Sequence, residues 1–337
     1  MKSTANVKKW QLVSWRGKTL SADLTGEEFI TVGKGAFRRK RRLEEVTLPN
    51  SVSAIKTRAF FGCSRLKRVT LPADGAVGVA REAFRRCSRL RWVENDLQIT
   101  TVGDRAFEGC RMLQKITLGR DVRRIGERGF FGCLSLQEIT VPGSVQTVGR
   151  FAFAQCTELE RVILEPGVST LLPEVFRGCI SLNHVEWSPT MREIPAGALL
   201  DCSALEEAVI PYHMTRIGRQ AFAGCLRLQS VTLELGVTAV GPMAFWNTPA
   251  LREITVPHSV KKLGWGAFGL GHAKEKITMY VDNEYMLRRM KQQLFLCGSA
   301  GRVQVILRGM TLEERKKARR RQSLDGEPVH LEHNEEP

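Results

Sequence analysis

The sequence predicts a solenoid, a fold in which similar short repeats stack one on the next along a single axis. Three observations predict it: a dipeptide that recurs at a fixed interval, a cysteine at a fixed distance after it, and a strand-like apolar pattern after each cysteine. Of the 337 residues, 43% are hydrophobic and 26% are charged, which excludes wholesale disorder, collagen and a membrane bundle. No apolar stretch reaches the roughly 18 residues of a membrane-spanning helix.

The dipeptide Ala-Phe, with degenerate copies, sets the period of the repeat. Its second residue falls at Phe37, Phe60, Phe84, Phe107, Phe130, Phe153, Phe176, Leu199, Phe222, Phe245 and Phe268. Nine of the ten intervals are 23 residues and one is 24. A unit of this length cannot bury its apolar side alone, so about 11 stacked repeats must supply the core to one another.

Each repeat ends in a strand pattern, clearest in the spacing Leu136-x-x-Ile139-x-Val141. Side chains alternate along a strand, so the fourth and sixth positions point inward and the third and fifth point outward. The Ala-Phe-x-x-Cys segment precedes the strand, and a short helix or turn there would bring Phe and Cys under it. We therefore predict α/β-type coils whose short strands form one parallel sheet.

These repeats resemble the BspA-like subfamily of leucine-rich repeats, whose motif is A-F-x-x-C-x-x-L-x-x-I-x-L-P-x-x-V-x-x-I-G. The copy from Val122 to Pro142 carries the motif most clearly, and the resemblance covers residues 29–281. It implies a curved solenoid with the sheet on its concave side, used for binding, often in cell-surface adhesion proteins, with no catalytic residues. The chain shows no secretory signal or surface anchor, so we expect an intracellular protein, cytoplasmic in the first place and nuclear as the alternative.

The cysteines follow the repeat. Eight of the nine stand three residues after the phenylalanine position: Cys63, Cys87, Cys110, Cys133, Cys156, Cys179, Cys202 and Cys225. Coils about 4.8 Å apart are close enough for disulfides, whereas zinc sites use clustered pairs that this chain lacks. We predict reduced thiols packed in the core, with no metal and no cofactor. Lys40, Thr248 and Gly271 replace the cysteine in outer repeats, where we expect weaker burial.

The sequence predicts a cap at each end of the array. Residues 1–28 form the predicted N-terminal cap, with apolar cover from Val7, Trp10, Leu12, Val13 and Trp15. Residues 282–310 form the C-terminal cap. There Asp282 is the predicted N-cap of a helix over EYMLRRMKQQLFL, and Val303–Leu307 is a further strand. The predicted inner face of this helix is Tyr285, Leu287, Met290, Leu294 and Leu296. Residues 311–337 are a charged tail, expected to be disordered.

Positive charge is concentrated in the first repeats. The chain carries 51 Lys plus Arg against 35 Asp plus Glu, a net +16, and residues 1–130 alone hold 28 against 13, a net +15. Arg42, Arg65 and Arg89 share one slot, five residues after the phenylalanine position, so stacking aligns them along one edge. Further arginines extend this predicted basic edge: Arg38, Arg39, Arg41, Arg85 and Arg86. The edge predicts an acidic protein or RNA partner; a solvated arginine-rich surface is the alternative.

The outward strand positions on the concave side predict a second surface. Seven of the eleven fifth positions are threonine, and the third positions mix positive and negative side chains. A surface with both signs of charge suits a protein partner that is recognised by its shape and by scattered charges. The candidate partner-binding residues are Arg68, Trp92, Glu94, Lys115, Glu138, Arg161, His184, Glu186, Glu207 and Glu253. A repeat face that binds nothing is the alternative.

Catalytic motifs are absent from the sequence. It contains no G-x-S-x-G, H-E-x-x-H or P-loop pattern, and the pair His184 and Glu186 lacks a third ligand or nucleophile. Ser323, after three arginines, is a candidate phosphorylation site. We therefore expect a non-enzymatic protein–protein interaction scaffold. The alternatives are a subunit of a ribonucleoprotein or other polyanion-bound assembly, and a cell-surface adhesin-like protein.

Overall fold

The computed structural model describes residues 5–8, 11–15, 17, 20–269 and 276–308, and for 5–8 the backbone only. The chain winds through about 13 stacked coils that are held together by parallel strands. The predicted repeat solenoid is confirmed, with one coil beyond the Ala-Phe array at each end. The coils differ from the predicted α/β type, because turns rather than helices connect their strands.

One row of strands, here called the face strands, occupies the predicted strand positions. Its members are Ser21–Asp23, Glu45–Thr47, Arg68–Thr70, Trp92–Glu94, Glu138–Val141, Arg161–Leu164, His184–Glu186, Glu207–Ile210, Ser230–Leu233, Glu253–Val256, Ile277–Val281 and Val303–Leu307. Within each sheet the register follows the repeat, so Arg68 lies between Glu45 and Trp92. The last repeat departs from it: Glu253 pairs with Thr278 rather than with Lys276, which the constant period predicts.

A second row of short strands, the back strands, was missed by sequence reasoning. It comprises Gln11–Trp15, Thr31–Val32, Ala54–Ile55, Val77–Val79, Ile99–Val102, Arg124–Ile125, Thr147–Val148, Thr170–Leu171, Glu193–Ile194, Arg216–Ile217, Ala239–Val240 and Lys262–Leu263. These strands are formed by the V-x-x-I-G half of the motif, and most are two residues long. Ala5–Lys8 pairs antiparallel with Gln11–Trp15 and ends this row.

Each Ala-Phe turn from Phe37 to Phe245 is built on two left-handed residues, two positions before and two positions after the phenylalanine position. In the coil of Phe60 these are Arg58, at φ 57°, and Gly62, at φ 71°. Glycine adopts this conformation without a steric penalty, whereas most L-residues rarely do. In the described coils, this pair of left-handed residues turns the chain sharply enough that no helix forms between a back strand and the face strand that follows it. A short 3-10 helix, Asp96–Gln98, lies on the other side of one coil, between the face strand Trp92–Glu94 and the back strand Ile99–Val102.

The core is a continuous stack of identical side chains. From Phe37 to Phe176 the centroids of neighbouring rings lie 4.7 to 5.7 Å apart with nearly parallel planes, and all these rings are buried. Leu199 interrupts the stack, which resumes from Phe222 to Phe268. Offset-stacked rings at this separation add to the stability gained by burying them.

The repeat cysteines line the core beside this stack, unpaired and buried, as the repeat predicts. Each Sγ donates a hydrogen bond to the carbonyl of the phenylalanine position in the preceding coil, such as Cys133 to Phe107 at 3.3 Å. Of the residues that replace cysteine, Lys40 is half-buried, but Thr248 is buried and donates to the Phe245 carbonyl at 2.9 Å. The expectation of weaker burial is therefore wrong for Thr248; Gly271 lies outside the described residues.

The C-terminal helix spans Glu284–Leu296, the EYMLRRMKQQLFL segment. Its N-cap is Asn283, whose side chain accepts from the Met286 amide, so the expectation of Asp282 at this position is wrong. Met286, Met290 and Leu294 form the buried side of the helix. Tyr285 and Leu296, predicted to face inward, are 69% and 66% exposed.

At the N-terminus, Leu12 and Trp15 are buried and Val13 is exposed. The side chains of Val7 and Trp10, together with the tail at residues 311–337 and its Ser323, lie outside the described residues. In the part of the chain that the structure describes, no helix is long and apolar enough to cross a membrane.

Candidate binding surfaces

The exposed side of the face strands, here called the strand face, carries every residue predicted for the concave surface. Of these residues, Arg68 and Glu94 are half-buried and the others are exposed: Trp92, Lys115, Glu138, Arg161, His184, Glu186, Glu207 and Glu253. Parallel register sets equivalent residues side by side across neighbouring coils. The third positions of three consecutive coils, Glu138, Arg161 and His184, therefore form one row.

Arg68 organises the N-terminal part of the strand face. Its guanidinium lies 5.2 Å from the centroid of the Trp92 ring and forms an ion pair with the Glu94 carboxylate. Glu45 approaches from the preceding coil at 3.9 Å, and the Thr70 hydroxyl donates to Glu94 at 2.8 Å. These contacts hold Arg68, Glu94 and the indole as one preorganised cluster.

The indole of Trp92 is also contacted from its own strand. The Arg91 guanidinium lies 5.7 Å from the ring centroid, while 41% of the Trp92 surface remains exposed. Cations over an aromatic face are attracted by the ring quadrupole. Both guanidiniums lie over this ring, so a base that stacks on Trp92 would compete with them.

A notch interrupts the strand face directly after Trp92. Residues 115–117 form no strand, because Asn95 and Asp96 replace the apolar residue and proline that follow the strand in other repeats. Asn95 is left-handed, and the Asp96 carboxylate accepts from the Thr117 amide at 2.6 Å, in place of a strand partner. Burial raises the pKa of Asp96 above its ordinary value.

The notch contains two adjoining cavities. The first has a volume of about 500 Å³ and is lined by Arg68, Trp92, Val93, Glu94, Asp96, Lys115 and Thr117. The second has a volume of about 370 Å³ and is lined by Gln114, Lys115, Gln137, Glu138, Glu160 and Arg161. Lys115 borders both. The notch thus presents one aromatic edge, both signs of charge and amide groups on a recessed surface.

Beyond the notch, the predicted residues of the strand face are spread more widely. Arg161 and Glu186 approach to 4.0 Å, and both are more than half exposed, so the pair contributes little to stability. Glu207 lies in the coil after that of His184, although their face strands do not pair, and Glu253 lies two coils beyond Glu207. Among the described residues, no group of three His, Cys, Asp or Glu side chains is arranged to hold a metal ion.

The predicted basic edge occupies two different parts of the coil. Arg38, Arg39, Arg85 and Arg86 lie on the Ala-Phe turns, and of these four Arg85 has acidic partners among the described residues. Arg85 pairs with Glu82 at 3.4 Å and with Glu108 at 3.0 Å, so its charge is used inside the protein. This pairing argues against the predicted role of Arg85 in a partner site.

Glu82 is the centre of this turn network, and sequence reasoning missed it. The carboxylate is buried and accepts from Arg58 Nε at 2.5 Å, which lowers the pKa of Glu82 below its usual value. Glu108 continues the network to Arg105 at 3.6 Å. Glu82 and Arg58 stand two residues before the phenylalanine of their repeats, a position whose residue type varies from repeat to repeat. The sequence pattern therefore does not indicate that these side chains meet; the left-handed turn in the structure shows it.

The remaining cations form a separate surface between the cysteine and the face strand. This surface, here called the arginine corner, comprises Arg41, Arg42, Arg65, Lys67, Arg89, Arg91 and Arg111. Among the described residues, the acidic side chain paired with it is Glu44, which lies 2.7 Å from Lys67. Lys67 first, and then Arg65 and Arg89, lower the pKa of Glu44. Apart from Lys67, the members form no ion pair with another described residue.

Comparison with known proteins agrees with the coil geometry. The family described as BspA type leucine rich repeat region matches residues 30–90, 77–206 and 192–296 in six copies. The chain therefore belongs to this family. The family and the fold suggest a protein-interaction or surface-type role, and proteins of this kind are typically non-enzymatic scaffolds.

Several solved leucine-rich repeat structures are similar to this chain, and the first of them shares its fold. A leucine-rich repeat protein from Bacteroides ovatus is 20% identical over 90% of this chain and 97% of its own, with a TM-score of 0.61. A leucine-rich repeat protein from T. pallidum is 26% identical over 65% and 82%, with a TM-score of 0.41. A leucine rich cell surface protein from Faecalibacterium prausnitzii is 21% identical over 74% and 94%, with a TM-score of 0.35. Comparison with curated protein sequences found no match.

Proposed function

We propose that this protein is a non-enzymatic scaffold that binds a protein partner through its strand face, with the notch beside Trp92 at the centre of contact. The observation that carries the proposal is the recess lined by Trp92, Lys115 and the Arg68–Glu94 cluster. Interface centres combine a partly buried aromatic residue or arginine with polar groups held in place before binding.

The size of the strand face supports a protein partner. About 13 coils at about 4.8 Å each give a face about 60 Å long. Stable protein interfaces bury about 800 Å² on each side, which such a face can supply without the turn edge. Both signs of charge occur along it, so a partner with a matching mixed surface binds in one register.

The test compares notch variants with a matched control. We expect Trp92→Ala combined with Lys115→Glu to abolish capture of a specific protein by the tagged chain from its own cells, after nuclease treatment. Thr170→Ala combined with Lys262→Ala alters two exposed back-strand residues and should capture that protein normally. Titration of the purified partner against all three proteins then measures the loss, expected to exceed about tenfold in Kd.

Two outcomes separate this proposal from its alternatives. Equal capture by the notch variant and the control would remove the strand face as the site. Loss of all partners on nuclease treatment would instead favour a subunit of a nucleic-acid-bound assembly, in which the arginine corner is primary and binding falls steeply with salt.

We also propose an intracellular location, supported by the chemistry of the repeat thiols. All nine described cysteines are unpaired, and eight donate hydrogen bonds along the core as protonated thiols. Oxidising compartments favour disulfides, and reducing compartments keep thiols free. Thiol counting on protein isolated from its own cells under denaturing alkylation tests this: nine free thiols support the proposal, and oxidised repeat cysteines favour a surface adhesin.

A further inference from the structure

We propose that the arginine corner is a second binding site, which takes an acidic segment of a polypeptide. The site is separate from the strand-face notch, so either can fail without the other. Seven cations against one carboxylate leave this small surface with a net charge of about +6. Neighbouring coils set these charges within a Debye length of one another, about 10 Å, so they repel one another at physiological salt.

The excess charge is local to the corner rather than a property of the whole chain. On the turns of the same coils, Arg58 and Arg85 are matched to Glu82 and Glu108. On the strand face, Arg68 is matched to Glu94. Residues 131–337 hold 23 Lys plus Arg against 22 Asp plus Glu, so the second half of the chain is close to neutral. The corner differs from these paired arginines of the same coils in that its Arg42, Arg65 and Arg89 form no ion pair with another described residue.

The corner has an ordered geometry. Successive coils place Arg42, Arg65 and Arg89 in one column. Glu44, Lys67 and Arg91 form a second column two residues further along, held in register by backbone bonds from Lys67 N to the Glu44 carbonyl and from Arg91 N to the Lys67 carbonyl. The column of Arg42, Arg65 and Arg89, with Lys67 and Arg91 beside it, forms a track of positive charge along the solenoid axis. An extended acidic chain can follow this track with several carboxylates engaged.

Arginine dominates the corner, and its planar guanidinium binds carboxylate or phosphate oxygens in pairs. The surroundings favour the carboxylate. Single-stranded nucleic acid is held by the charge of its backbone together with stacking of its bases on aromatic faces. The aromatic ring next to the corner is Trp92, where a stacking base would compete with the guanidiniums of Arg68 and Arg91. An acidic polypeptide needs no stacking platform.

The test uses the full-length protein and labelled probes of matched charge. A twelve-residue oligoglutamate peptide and a twelve-nucleotide oligouridylate are titrated by fluorescence anisotropy at about 0.1 M salt. The variant R42E/R65E/R89E removes one column. Its control, R120E/R216E/R219E, makes the same change in net charge at exposed arginines that form no ion pair with another described residue.

We expect the column variant to lose at least about tenfold in affinity for oligoglutamate, and the control to lose less than about threefold. If the charge-reversed variant does not fold, R42Q/R65Q/R89Q replaces it, because this variant removes the positive charge without adding repulsion. It should likewise lose more affinity for oligoglutamate than the control does. Equal losses in column variant and control would reduce the effect to net charge and overturn the proposal. Tighter, column-dependent binding of oligouridylate, or of phosphatidylserine vesicles, would also overturn it.

Discussion

At the scale of the residue, the recurrent cysteine has a specific role. The carbonyl of each phenylalanine position already accepts an amide bond within its own turn, as Phe60 O does from Cys63 N at 3.1 Å. Its second lone pair accepts a hydrogen bond from the thiol of the next coil, as Phe60 O does from Cys87 Sγ at 3.1 Å. Thr248 serves its own coil in the same way through its hydroxyl. A small side chain with a donor therefore suits the slot in the inner coils, whereas Lys40 and Gly271 occupy it at the two ends of the array.

The buried thiols make the protein sensitive to alkaline pH. Burial raises the pKa of Cys156 and of Cys225 to about 12, whereas a thiol in the unfolded chain has a pKa of about 8.5. Between these values the unfolded chain loses protons that the folded chain keeps. The free energy of unfolding therefore falls as pH rises from about 8.5 toward 12, by up to about 1.4 kcal/mol per pH unit for each thiol.

Urea unfolding at pH 7.5, 9 and 10 measures this slope. Cys156→Ser replaces one thiol with a hydroxyl that does not titrate in this range. In this variant we expect the free energy of unfolding to fall less steeply with pH, by the contribution of one thiol. We also expect the variant to be less stable at each pH. An identical slope in the two proteins would show that this thiol ionises alike in the folded and unfolded chains.

At the scale of the element, the phenylalanine stack stabilises each coil through both neighbours. Phe130 contacts the rings of Phe107 and Phe153 at 5.2 and 5.3 Å. Phe176 has one ring neighbour, at 5.7 Å, because Leu199 follows it. We expect Phe130→Leu to lower the free energy of unfolding by about 1–3 kcal/mol and Phe176→Leu to cost about half as much, since ring pairs contribute about 0.5–1.5 kcal/mol each. Equal costs in denaturant unfolding would contradict this account.

The C-terminal helix depends on its cap. The Asn283 side chain accepts from the Met286 amide at 2.9 Å, and Asp282 instead accepts from the His258 amide at 3.3 Å, outside the helix. Asn283→Ala should lower local helix stability by about 0.5–2 kcal/mol. Hydrogen exchange of residues 284–296 should then accelerate. Asp282→Ala is the matched control, and faster helix exchange in that variant instead would return the capping role to Asp282.

At the scale of the whole molecule, the period and inward positions determined most of the fold. The repeat at Val122 to Pro142 predicts which side chains are buried, and the structure places its Phe130, Cys133, Leu136 and Ile139 in the core. The back strands were not predictable in this way, because two-residue strands carry no alternation to detect. The notch was also missed. It arises because Asn95 and Asp96 replace an apolar residue and proline in one repeat, and a consensus of all repeats does not show a change in a single copy.

The binding surfaces follow the same division between repeated and irregular features. Slots that recur, such as Arg42 and Arg65, can be aligned from sequence, and so can the outward strand positions. Ion pairing cannot be predicted in this way. Whether Arg85 forms an ion pair depends on its distances to Glu82 and Glu108, which neighbouring turns set. The structure therefore argues against Arg85 as a member of the predicted basic edge, whereas Arg42, Arg65 and Arg89 form no ion pair with another described residue.

The stacking is weakest at one boundary, where both strand rows stop. The back strands do not pair between Thr170–Leu171 and Glu193–Ile194, nor the face strands between His184–Glu186 and Glu207–Ile210. Leu199 breaks the ring stack at the same place. Turn bonds still cross it, including Phe176 N to the Ala198 carbonyl at 3.0 Å. In a solenoid each coil contacts only its neighbours, so a weak interface limits cooperativity.

We therefore expect mild denaturant to release the two sides of this boundary separately, with amides of residues 99–171 and of residues 193–263 exchanging at different denaturant concentrations. The notch supplies an internal control. Face strands are also interrupted at residues 115–117, but there the back strand Ile99–Val102 still pairs with Arg124–Ile125. Hydrogen exchange read by mass spectrometry should place no step at 115–117. A single transition along the whole chain, or a step at the notch, would show that the strand rows do not set the cooperative units.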